Sequence, residues 1–508
     1  MKKIIYIIVY ALLLMLMLAA QLMLVWDIYA LDMVPDLYLA VLICLVVLLT
    51  TGTAVLLFVH KRGQWIGVAR QIIACVLIVL TVGACLYVAP KIQKFQSTVQ
   101  TITTNTPAGA FWNVYVKNED PAQTIQDAAD YTFAALELDE NCTQQAIEAI
   151  EKELGTSIAV QYFDNESLMA SAYENGEAQA LILNEGYLSI WNENEFYTQF
   201  EMRNRVLYTA PVVESDGVHS PGEVVAPETE PVADITNTPF IFYISGMDGD
   251  SKLLARTRSD VNILMVVNPA TKQILMINTP RDYYIVHPWG SGSRDKLTHC
   301  GVYGIDCSIS ALENLYETTV NYYLQINFTG FESLIDSIGG ITVHSDRSFY
   351  CGGSEEVYIP KGDVHLDGKS ALAFARDRYH QAGGDNDRGK NQMKVIKSVI
   401  NKATSGRTLI ANYTSILSSL EGMLATNIPM DDISKLVKMQ LTDMASWNIM
   451  SYSVTGYGDT RTTYSMPGTG AYVMHPHEYT VNYAKSLIQR VVNGEALTQA
   501  DMTAPKPE

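Results

Sequence analysis

Three long apolar segments open the chain and organise its first 90 residues. They are Ile4–Trp26, Leu37–Val59 and Gln71–Ala89, and about 20 apolar residues are enough for a helix to cross a bilayer. A cleaved signal peptide is the alternative for the first segment, but its apolar run is longer than a signal-peptide core and two more spans follow. Three transmembrane helices are therefore predicted within residues 1–90.

The charges between these segments predict their orientation. Lys2 and Lys3 precede the first span, and a basic segment that includes Lys61 and Arg62 separates the second span from the third. Residues 27–36, between the first two spans, contain three Asp and no Lys or Arg. Because positively charged loops stay in the cytoplasm, the N-terminus is expected there and the domains after the third span are expected outside the cell.

A shorter-period pattern of apolar and polar residues then predicts a small extracellular α/β accessory domain over residues 91–210. Alternating or β-branched residues indicate strands, and apolar residues three and four apart indicate a helix. The predicted elements are strands at Phe111–Val116 and Ser157–Phe163, a helix at Cys142–Leu154, and a hairpin of Ala180–Leu183 with Tyr187–Trp191. The domain contains no recognisable catalytic motif, so an accessory or spacer role is expected.

A Pro- and acid-rich linker over residues 211–239 leads into the largest predicted domain, at residues 240–495. Its predicted strands are Phe240–Ser245, an antiparallel hairpin of Val261–Val267 with Gln273–Asn278, Ile341–Val343 and Asn448–Val454. Its predicted helices are Asp306–Glu317, Phe328–Ile338, a long helix from Arg388, and His477–Val492. These elements predict an α/β (α+β) fold with a mixed central sheet sandwiched by helices, and residues 496–508 are predicted to be disordered.

Composition excludes one class of function and leaves the cysteines open. The 508 residues have a net charge of −19, whereas a nucleic-acid binder presents a basic face, so no nucleic-acid partner is expected. Four of the seven cysteines lie outside the spans, at Cys142, Cys300, Cys307 and Cys351. No CxxC pair occurs, so zinc and redox motifs are not expected, and one disulfide among the last three and free thiols are equally compatible with the sequence.

Two aspartates near the start of the large domain predict a magnesium site. Asp248 follows the first predicted strand, and Asp260 begins the second. Consecutive strands are usually neighbours, so both carboxylates can meet at one sheet edge, where hard oxygen ligands with room for water and phosphate suit Mg²⁺. The alternative is that Asp248 caps a turn and Asp260 pairs with Arg258.

Several cationic side chains at regular spacing predict an anion-binding site. Arg376 and Arg378 are two apart, so on a strand they would point the same way, and Arg388 and Gln392 are four apart, so on a helix they share a face. With Arg281, these guanidinium groups need an anion between them if they converge, and their fork matches phosphate oxygens. The alternative is a solvated surface with local ion pairs.

The order of these residues resembles the LytR–CpsA–Psr family, in its capsule-associated branch with three spans and an accessory domain. The resemblance covers the motif core at residues 240–405. It rests on Ser245–Asp248, Arg258–Leu264, Asn278–Asp282, Lys296–Thr298 with Gly304, Phe331–Gly340, Leu366–Gly368, Ala371–Arg378 and Asp387–Gln392.

The resemblance implies a membrane-anchored phosphotransferase that moves a glycopolymer from a polyprenyl-pyrophosphate carrier to peptidoglycan and releases polyprenyl phosphate. It assigns Asp248 and Asp260 to Mg²⁺, and Arg281 and Asp260 to catalysis. The implied pyrophosphate-binding residues are Arg258, Arg281, Arg376, Arg378, Arg388 and Gln392. An apolar tunnel would hold the polyprenyl tail, and its candidate lining residues, for each of which core packing is the simpler role, are Phe328, Phe331, Leu334, Ile335 and Ile338.

Phosphoryl-transfer chemistry then places a peptidoglycan hydroxyl in attack on the phosphorus nearer the glycan, while Mg²⁺ and arginines neutralise the charge. Asp260 and Asp282 are both candidates for a general base. A hydrolase of the same lipid pyrophosphate and a non-catalytic lipid-pyrophosphate-binding regulator are the alternatives. Capsule, teichoic acid and other wall polysaccharides all remain open as the glycopolymer, as do the acceptor hydroxyl, the accessory domain's task and the oligomeric state.

Overall fold

The computed structural model describes residues 2–58, 64–104, 111–137, 140–191, 200–211, 229–247, 257–290, 292–352, 356–378, 385–405 and 423–505. They fall into two compact units. We call residues 1–103, 403–421 and 428–446 the anchor unit, and residues 104–402, 422–427 and 447–508 the cavity unit.

The helices are α1 (Lys2–Ala30), α2 (Asp36–Phe58), α3 (Gln64–Thr104), α4 (Glu140–Leu154), α5 (Glu166–Glu174), α6 (Glu185–Trp191), α7 (Phe200–Arg203), α8 (Leu297–Tyr303), α9 (Ile305–Tyr316), α10 (Phe328–Ser337), α11 (Gly368–Arg376), α12 (Asp385–Ala403), α13 (Met430–Asp443) and α14 (Glu478–Val492). The strands of the first half are β1 (Phe111–Lys117), β2 (Thr132–Leu136), β3 (Ala159–Phe163), β4 (Ala180–Asn184), β5 (Asn204–Pro211), β6 (Phe240–Met247), β7 (Ser259–Asn268), β8 (Gln273–Asn278), β9 (Tyr284–Val286) and β10 (Arg294–Lys296). Those of the second half are β11 (Tyr322–Asn327), β12 (Ile341–Ser345), β13 (Phe349–Cys351), β14 (Val357–Ile359), β15 (Gly362–Leu366), β16 (Leu424–Thr426), β17 (Asn448–Ser453), β18 (Gly456–Arg461) and β19 (Ala471–Pro476). Short 3₁₀ helices lie at Ile125–Ala128 and Gln499–Met502.

The anchor unit contains the three apolar helices α1, α2 and α3, each long and apolar enough to cross a membrane. This confirms the prediction of three such helices. Helix α3 continues to Thr104, beyond the predicted end of the span at Ala89. Residues 91–104 are therefore part of a helix, and the accessory sheet begins only at Phe111.

Helix α13 also belongs to the anchor unit, although it follows the motif core in sequence. Lys438 Nζ lies 3.0 Å from Asp32 Oδ1 and 3.1 Å from Asp36 Oδ1, so it pairs with the acidic segment between α1 and α2. Beside this ion pair, apolar side chains of the same segments and of α3 bury one another, among them Met33 and the α3 residue Phe95 against Ile433. The α1–α2 segment and α13 therefore form one packed corner.

The accessory part of the cavity unit is a five-stranded sheet in the order β3-β2-β4-β1-β5. Strands β1, β3 and β4 lie where they were predicted, whereas β2 was not predicted. The predicted hairpin is wrong, because Tyr187–Trp191 is helical and forms most of α6. Tyr187, Leu188, Ile190 and Trp191 are all buried. An apolar run this short fits a buried helix as well as a strand, which explains the error.

The main sheet of the cavity unit is mixed, with strand order β16-β11-β6-β7-β8-β17. Strands β7 and β8 form the predicted antiparallel hairpin, whereas β11 runs parallel to β6 and β17 runs parallel to β8. On β6, Tyr243 enters the core that α8, α9 and α14 cover. Phe242 and Ile244, on the other face, line a cavity that α10, α11 and α12 enclose. The predicted mixed sheet sandwiched by helices is thus confirmed.

The accessory sheet and the main sheet share one continuous hydrophobic core. Tyr187 Oη of α6 lies 2.6 Å from Tyr303 Oη of α8. Glu166, fully buried at the start of α5, accepts hydrogen bonds from Gly468 N and Thr469 Oγ1 in the loop between β18 and β19. The accessory domain is therefore built into the large domain and supports one of its loops.

The segments that flank the large domain are ordered where the structure describes them. At the end of the predicted linker, Ile235 is buried and Val232 N donates to Tyr322 Oη at 3.1 Å. Beyond the last helix, Leu497 is buried, and Asp501 pairs with Arg490 at 2.8 Å. The prediction of a disordered tail from residue 496 is therefore wrong for the part described, because an apolar anchor and an ion pair fix it.

Cys300, Cys307 and Cys351 are buried free thiols, so the alternative of a disulfide among them is not realised; the side chain of Cys142 lies outside the described residues. His287 Nε2 is 3.5 Å from Cys307 Sγ, and His287 Nδ1 accepts the Trp289 N–H at 3.3 Å. This leaves the imidazole hydrogen on Nε2, facing sulfur. A metal-bound histidine donates the hydrogen of its second ring nitrogen, whereas Nδ1 of His287 accepts one. The contact between His287 and Cys307 is therefore a hydrogen bond within the core.

Candidate active site

The start of β7 and the turn after β8 bring the first site residues together. Because β6 and β7 are antiparallel, Met247 pairs with Ser259, the residues that precede Asp248 and Asp260. Asp248 itself lies outside the described residues. After β8 the chain turns through Pro280, and Arg281 Nη1 reaches Asp260 Oδ1 at 2.8 Å.

Arg281 is the centre of a partly buried charge network. Its side chain is 11% exposed and that of Asp260 is 16% exposed. Arg281 Nε also lies 3.7 Å from Asp282 Oδ2, and Lys296 Nζ lies 3.3 Å from Asp282 Oδ1. Burial alone would raise the pKa of Asp260, but the positive charges of Arg281, Arg388 and Arg258 hold it below its ordinary value. Asp260 is therefore ionised and paired.

Helix α12 contributes two buried polar side chains to the same place. Arg388 and Gln392, one helical turn apart, are 6% and 7% exposed, which confirms that they share a helix face. A Cβ at Gly389 would lie 2.2 Å from Asn278 Nδ2. The glycine therefore lets the first turn of α12 lie against the end of β8, close to Arg281.

Arg376 and Arg378 also reach this cavity, but not from a strand. Arg376 is the last residue of α11, and Arg378 follows it in extended backbone after Asp377. The strand prediction is therefore wrong. It overlooked that Asp367 caps the helix, accepting a hydrogen bond from Ser370 N at 2.9 Å, and that an Ala-rich run follows. The Arg376 guanidinium lies over the Phe328 ring, 4.1 Å from its centroid.

All these residues line one cavity of about 1530 Å³. Among the described residues, its wall contains seven Lys or Arg and five Asp or Glu side chains, a cationic excess in a chain whose net charge is −19. The rest of the wall is largely apolar, from β6, β7, β11 and α10–α12. The sequence candidates on the wall are Arg258, Asp260, Arg281, Arg376, Arg378, Arg388 and Gln392, together with the tunnel candidates Phe328, Phe331 and Leu334.

Two of the proposed tunnel residues lie elsewhere. Ile335 and Ile338 are 0% and 4% exposed and are absent from the cavity lining among the described residues. Both belong to the packing of α10 against its neighbours, the simpler role for an apolar helix residue. Conversely, sequence reasoning gave no role to Lys296, which lies on the cavity wall. The only feature of the sequence that pointed to Lys296 was its place in the motif Lys296–Thr298.

A magnesium ion, the metal that the resemblance implies, needs hard oxygen ligands. The carboxylate of Asp260 lies on the cavity wall and is 16% exposed, so it can supply one such ligand. The surrounding arginines repel a bare cation, and a pyrophosphate between them would reverse that local charge. The described residues therefore fit Mg²⁺ together with a pyrophosphate, with Asp260 as a ligand.

Fold and site together define a membrane-anchored α/β protein whose cavity is lined by cationic side chains and by a largely apolar wall. The model of the LytR_cpsA_psr family matches residues 213–478, which is just over half of the chain. The chain therefore belongs to the LytR_cpsA_psr family.

Two relatives carry the name polyisoprenyl-teichoic acid–peptidoglycan teichoic acid transferase TagU. The one from Enterococcus faecalis is 33% identical over 200 residues, which are 39% of this chain and 64% of the relative. The one from Bacillus cereus is 30% identical over 237 residues, 46% of this chain and 75% of the relative. Among solved structures, TagV of Bacillus subtilis is 23% identical, with a TM-score of 0.43 over 51% of this chain and 99% of that one. The chain thus spans less than two thirds of the Enterococcus relative.

Proposed function

We propose that this chain is a membrane-anchored phosphotransferase that moves a glycopolymer from a polyprenyl-pyrophosphate carrier to peptidoglycan. The observation that carries the proposal is that one cavity is lined both by five arginines and by a largely apolar wall. A polyprenyl pyrophosphate has the same two parts, an anionic head and a long apolar tail. The names of the family relatives support the same reaction and suggest teichoic acid as the first glycopolymer to test.

The cationic side chains of the cavity wall bind the pyrophosphate head group of the lipid. Arg258, Arg281, Arg376, Arg378 and Arg388 supply guanidinium forks that match phosphate oxygens. Gln392 adds a neutral amide donor. The polyprenyl tail lies along the apolar wall, where its burial gives about 25 cal/mol per Å² of apolar surface removed from water.

The reaction breaks the bridging P–O bond on the lipid side of the glycan phosphate. An acceptor hydroxyl oxygen forms the new P–O bond to the phosphorus attached to the glycan, and polyprenyl phosphate leaves with the bridging oxygen. Arg281 and Arg388 stabilise the charge on the non-bridging oxygens. A Mg²⁺ held by Asp260 and Asp248 would neutralise part of the same charge.

Asp282 is the carboxylate that we assign as proton acceptor for the attacking hydroxyl. Asp260 is less suited, because its lowered pKa makes it a weak base and because its contact with Arg281 is the closer one, at 2.8 Å against 3.7 Å for Asp282. Asp282 lies between Arg281 and Lys296, on the cavity wall. Asp260 instead orients the Arg281 guanidinium.

The same proposal places the cavity unit outside the cell. The basic segment between the second and third spans favours the cytoplasm, and the acidic segment between α1 and α2 pairs with Lys438. That ion pair requires α13 and the acidic segment to lie on one side of the membrane. The basic segment supports an N-terminus in the cytoplasm, and the ion pair then supports an extracellular α13 beside the acidic segment.

The test uses the full-length chain in lipid nanodiscs with a synthetic polyprenyl-pyrophosphate-linked teichoic acid precursor, Mg²⁺ and peptidoglycan fragments. We expect mass spectrometry to detect a phosphodiester-linked adduct and free polyprenyl phosphate. Release of polyprenyl phosphate without an acceptor requirement would show a hydrolase. Tight binding of the lipid with no turnover across several donor glycans would show a binding protein, and either result would reject the transferase.

A further inference from the structure

Two tyrosines on the cavity wall are far more exposed than aromatic side chains in a core. Tyr350 on β13 and Tyr472 on β19 are each 52% exposed, and both line the cavity. They come from separate hairpins, β13–β14 and β18–β19. No step of the reaction described above uses either ring.

The strand of each tyrosine packs on a segment that carries a charged residue of the cavity wall. Met474, two residues after Tyr472 on β19, donates its N–H to Asp282 O at 2.7 Å. Phe349, the residue before Tyr350, packs on Phe374 of α11 with ring centroids 6.0 Å apart, and α11 ends at Arg376. Both tyrosines therefore line the same cavity as Asp282 and Arg376 and are joined to their segments through neighbouring residues.

Both rings are held in place by a neighbour. A Cβ at Gly458 would lie 2.8 Å from Tyr472 Cε2 and 2.9 Å from its Oη, so the Tyr472 ring lies directly over a residue that lacks a side chain. Tyr350 pairs across the hairpin with Tyr358, and their ring centroids are 5.0 Å apart. A ring fixed on one side and half exposed loses little conformational freedom when a ligand covers it.

We propose that Tyr350 and Tyr472 form a sugar-binding rim at the mouth of the cavity. The flat C–H face of a pyranose ring packs on an aromatic ring, while the tyrosine hydroxyl hydrogen-bonds to sugar hydroxyls. This inference rests on the proposed function, which requires sugar on both sides of the reacting phosphate. The ligand class is a pyranose chain, from either the donor glycan or the acceptor glycan strand.

The experiment measures equilibrium binding to the full-length chain in nanodiscs with three probes. These are a polyprenyl pyrophosphate without sugar, the same lipid carrying an N-acetylhexosamine disaccharide, and soluble peptidoglycan glycan strands. The variants are Tyr350→Ala, Tyr472→Ala and Gly458→Ala, with Tyr472→Phe as the stacking-competent version. Tyr162→Ala is the matched control, because Tyr162 is a 44% exposed tyrosine on β3 of the accessory sheet.

We expect Tyr350→Ala or Tyr472→Ala to weaken binding of one sugar-bearing probe about fivefold to tenfold, with the sugar-free lipid unchanged. Loss for the disaccharide lipid identifies the donor glycan, and loss for the glycan strands identifies the acceptor. Tyr472→Phe should retain most of the affinity, and Gly458→Ala should lose part of it by displacing the ring.

Unchanged affinity for both sugar probes would overturn the rim, and so would an equal loss for the sugar-free lipid, because the tyrosines would then only support the fold. A wild-type chain that fails to bind the sugar-free lipid would instead contradict the proposed function. In that case, comparing the binding of glycan strands by the wild-type chain and by the tyrosine variants would still test the sugar-binding rim separately.

Discussion

At the scale of single residues, the site depends on how Arg281 is held. Asp260 fixes one of its nitrogens at 2.8 Å, and Asp282 lies on its other side at 3.7 Å. Two partners leave the planar guanidinium little freedom to rotate, so it is preorganised toward the cavity. Lysine at the same position would keep the charge but would lose the fork.

Replacement of Arg281 should therefore remove catalysis and leave the fold intact. We expect Arg281→Ala to lower kcat/KM for glycopolymer transfer about 10²- to 10³-fold, and Arg281→Lys to recover only part of it. The matched control is Arg203→Ala, which removes an exposed arginine paired with Glu174 at 3.7 Å in the accessory domain. Normal turnover by Arg281→Ala would contradict the assignment.

The two aspartates should differ in their effect on kcat. The pKa of Asp260 lies below its ordinary value because of the arginines around it, so an acid limb of kcat in the ordinary carboxyl range does not come from Asp260. We expect Asp282→Asn to lower kcat about 10²- to 10⁴-fold, because the attacking hydroxyl loses its proton acceptor.

Asp260→Asn should also lower kcat, through the loss of Arg281 orientation, but it should leave the midpoint of the acid limb in place. The measurement is kcat against pH for both variants with the same donor and acceptor. An acid limb that disappears in Asp260→Asn would contradict the lowered pKa of Asp260, and full kcat in Asp282→Asn would contradict the role of Asp282 as proton acceptor.

At the scale of elements, a buried polar corner formed by β10, α8 and the loop between β18 and β19 holds Lys296 in the site. Asp295 accepts hydrogen bonds from Lys296 N at 2.7 Å and from His299 Nδ1 at 2.6 Å. It also accepts from Ser465 N at 2.8 Å, in the loop between β18 and β19. The start of α8, and with it Lys296, is thus tied to the loop that Glu166 holds from the accessory domain.

His287 makes this corner sensitive to acid. Burial lowers the pKa of His287 to about 4, whereas an unfolded histidine titrates near 6.5. As pH falls below about 6.5, the unfolded chain takes up a proton that the folded chain does not, so stability is present above 6.5 and is lost toward pH 4. The loss for this one group is at most about 3 kcal/mol.

We therefore expect the thermal unfolding midpoint of the wild type to fall between pH 7 and pH 4.5 by more than that of His287→Phe. The phenylalanine keeps an aromatic ring between Tyr303 and Tyr464 and removes the titrating group. Scanning calorimetry at both pH values measures the difference. An equal fall in the two proteins would show that His287 does not titrate as described.

At the scale of the whole molecule, the two compact units do not follow the order of the segments in the sequence. Residues 428–446 follow the motif core but pack in the anchor unit. The accessory domain precedes the motif core but shares the hydrophobic core of the cavity unit. The anchor unit is thus assembled from segments that precede and follow the motif core, and the wall of the cavity includes a loop supported by the accessory domain.

The corner between α13 and the α1–α2 segment can be tested by cross-linking. We expect Asp32→Cys with Lys438→Cys to be joined by a short, membrane-impermeant bis-maleimide in right-side-out vesicles, because the native side chains are 3.0 Å apart. Asp32→Cys with Leu436→Cys, on the opposite side of α13, is the control. Efficient joining only in inside-out vesicles would reverse the proposed orientation.

Much of this architecture could be predicted from local sequence because local physics determines it. Apolar length fixed the three membrane helices, the turn after Asn268 fixed the β7–β8 hairpin, and Gly339 and Gly340, both with positive φ, end α10 as expected. The motif residues also converge as their order suggested. Each of these features depends on interactions between residues close together in the chain or on a resemblance of ordered motifs.

The rest depends on partners far apart in sequence. Tyr187–Trp191 is helical because α6 is covered on all sides by α8 and its own sheet, which no short pattern shows. Tyr472 reaches the cavity only because β19 lies beside Asp282. The mistaken strand at Arg376 is different, since the cap at Asp367 was present in the sequence.

The most direct test of the transfer chemistry is to follow the phosphate next to the glycan. We would label that phosphorus in the polyprenyl-pyrophosphate donor with ³²P, react it with peptidoglycan in the presence of the full-length chain, and separate lipid from peptidoglycan. We expect the label in the peptidoglycan phosphodiester and unlabelled polyprenyl phosphate in the lipid fraction. Labelled polyprenyl pyrophosphate beside a phosphate-free glycan linkage would mean that the sugar C–O bond had been cleaved, and would contradict the mechanism.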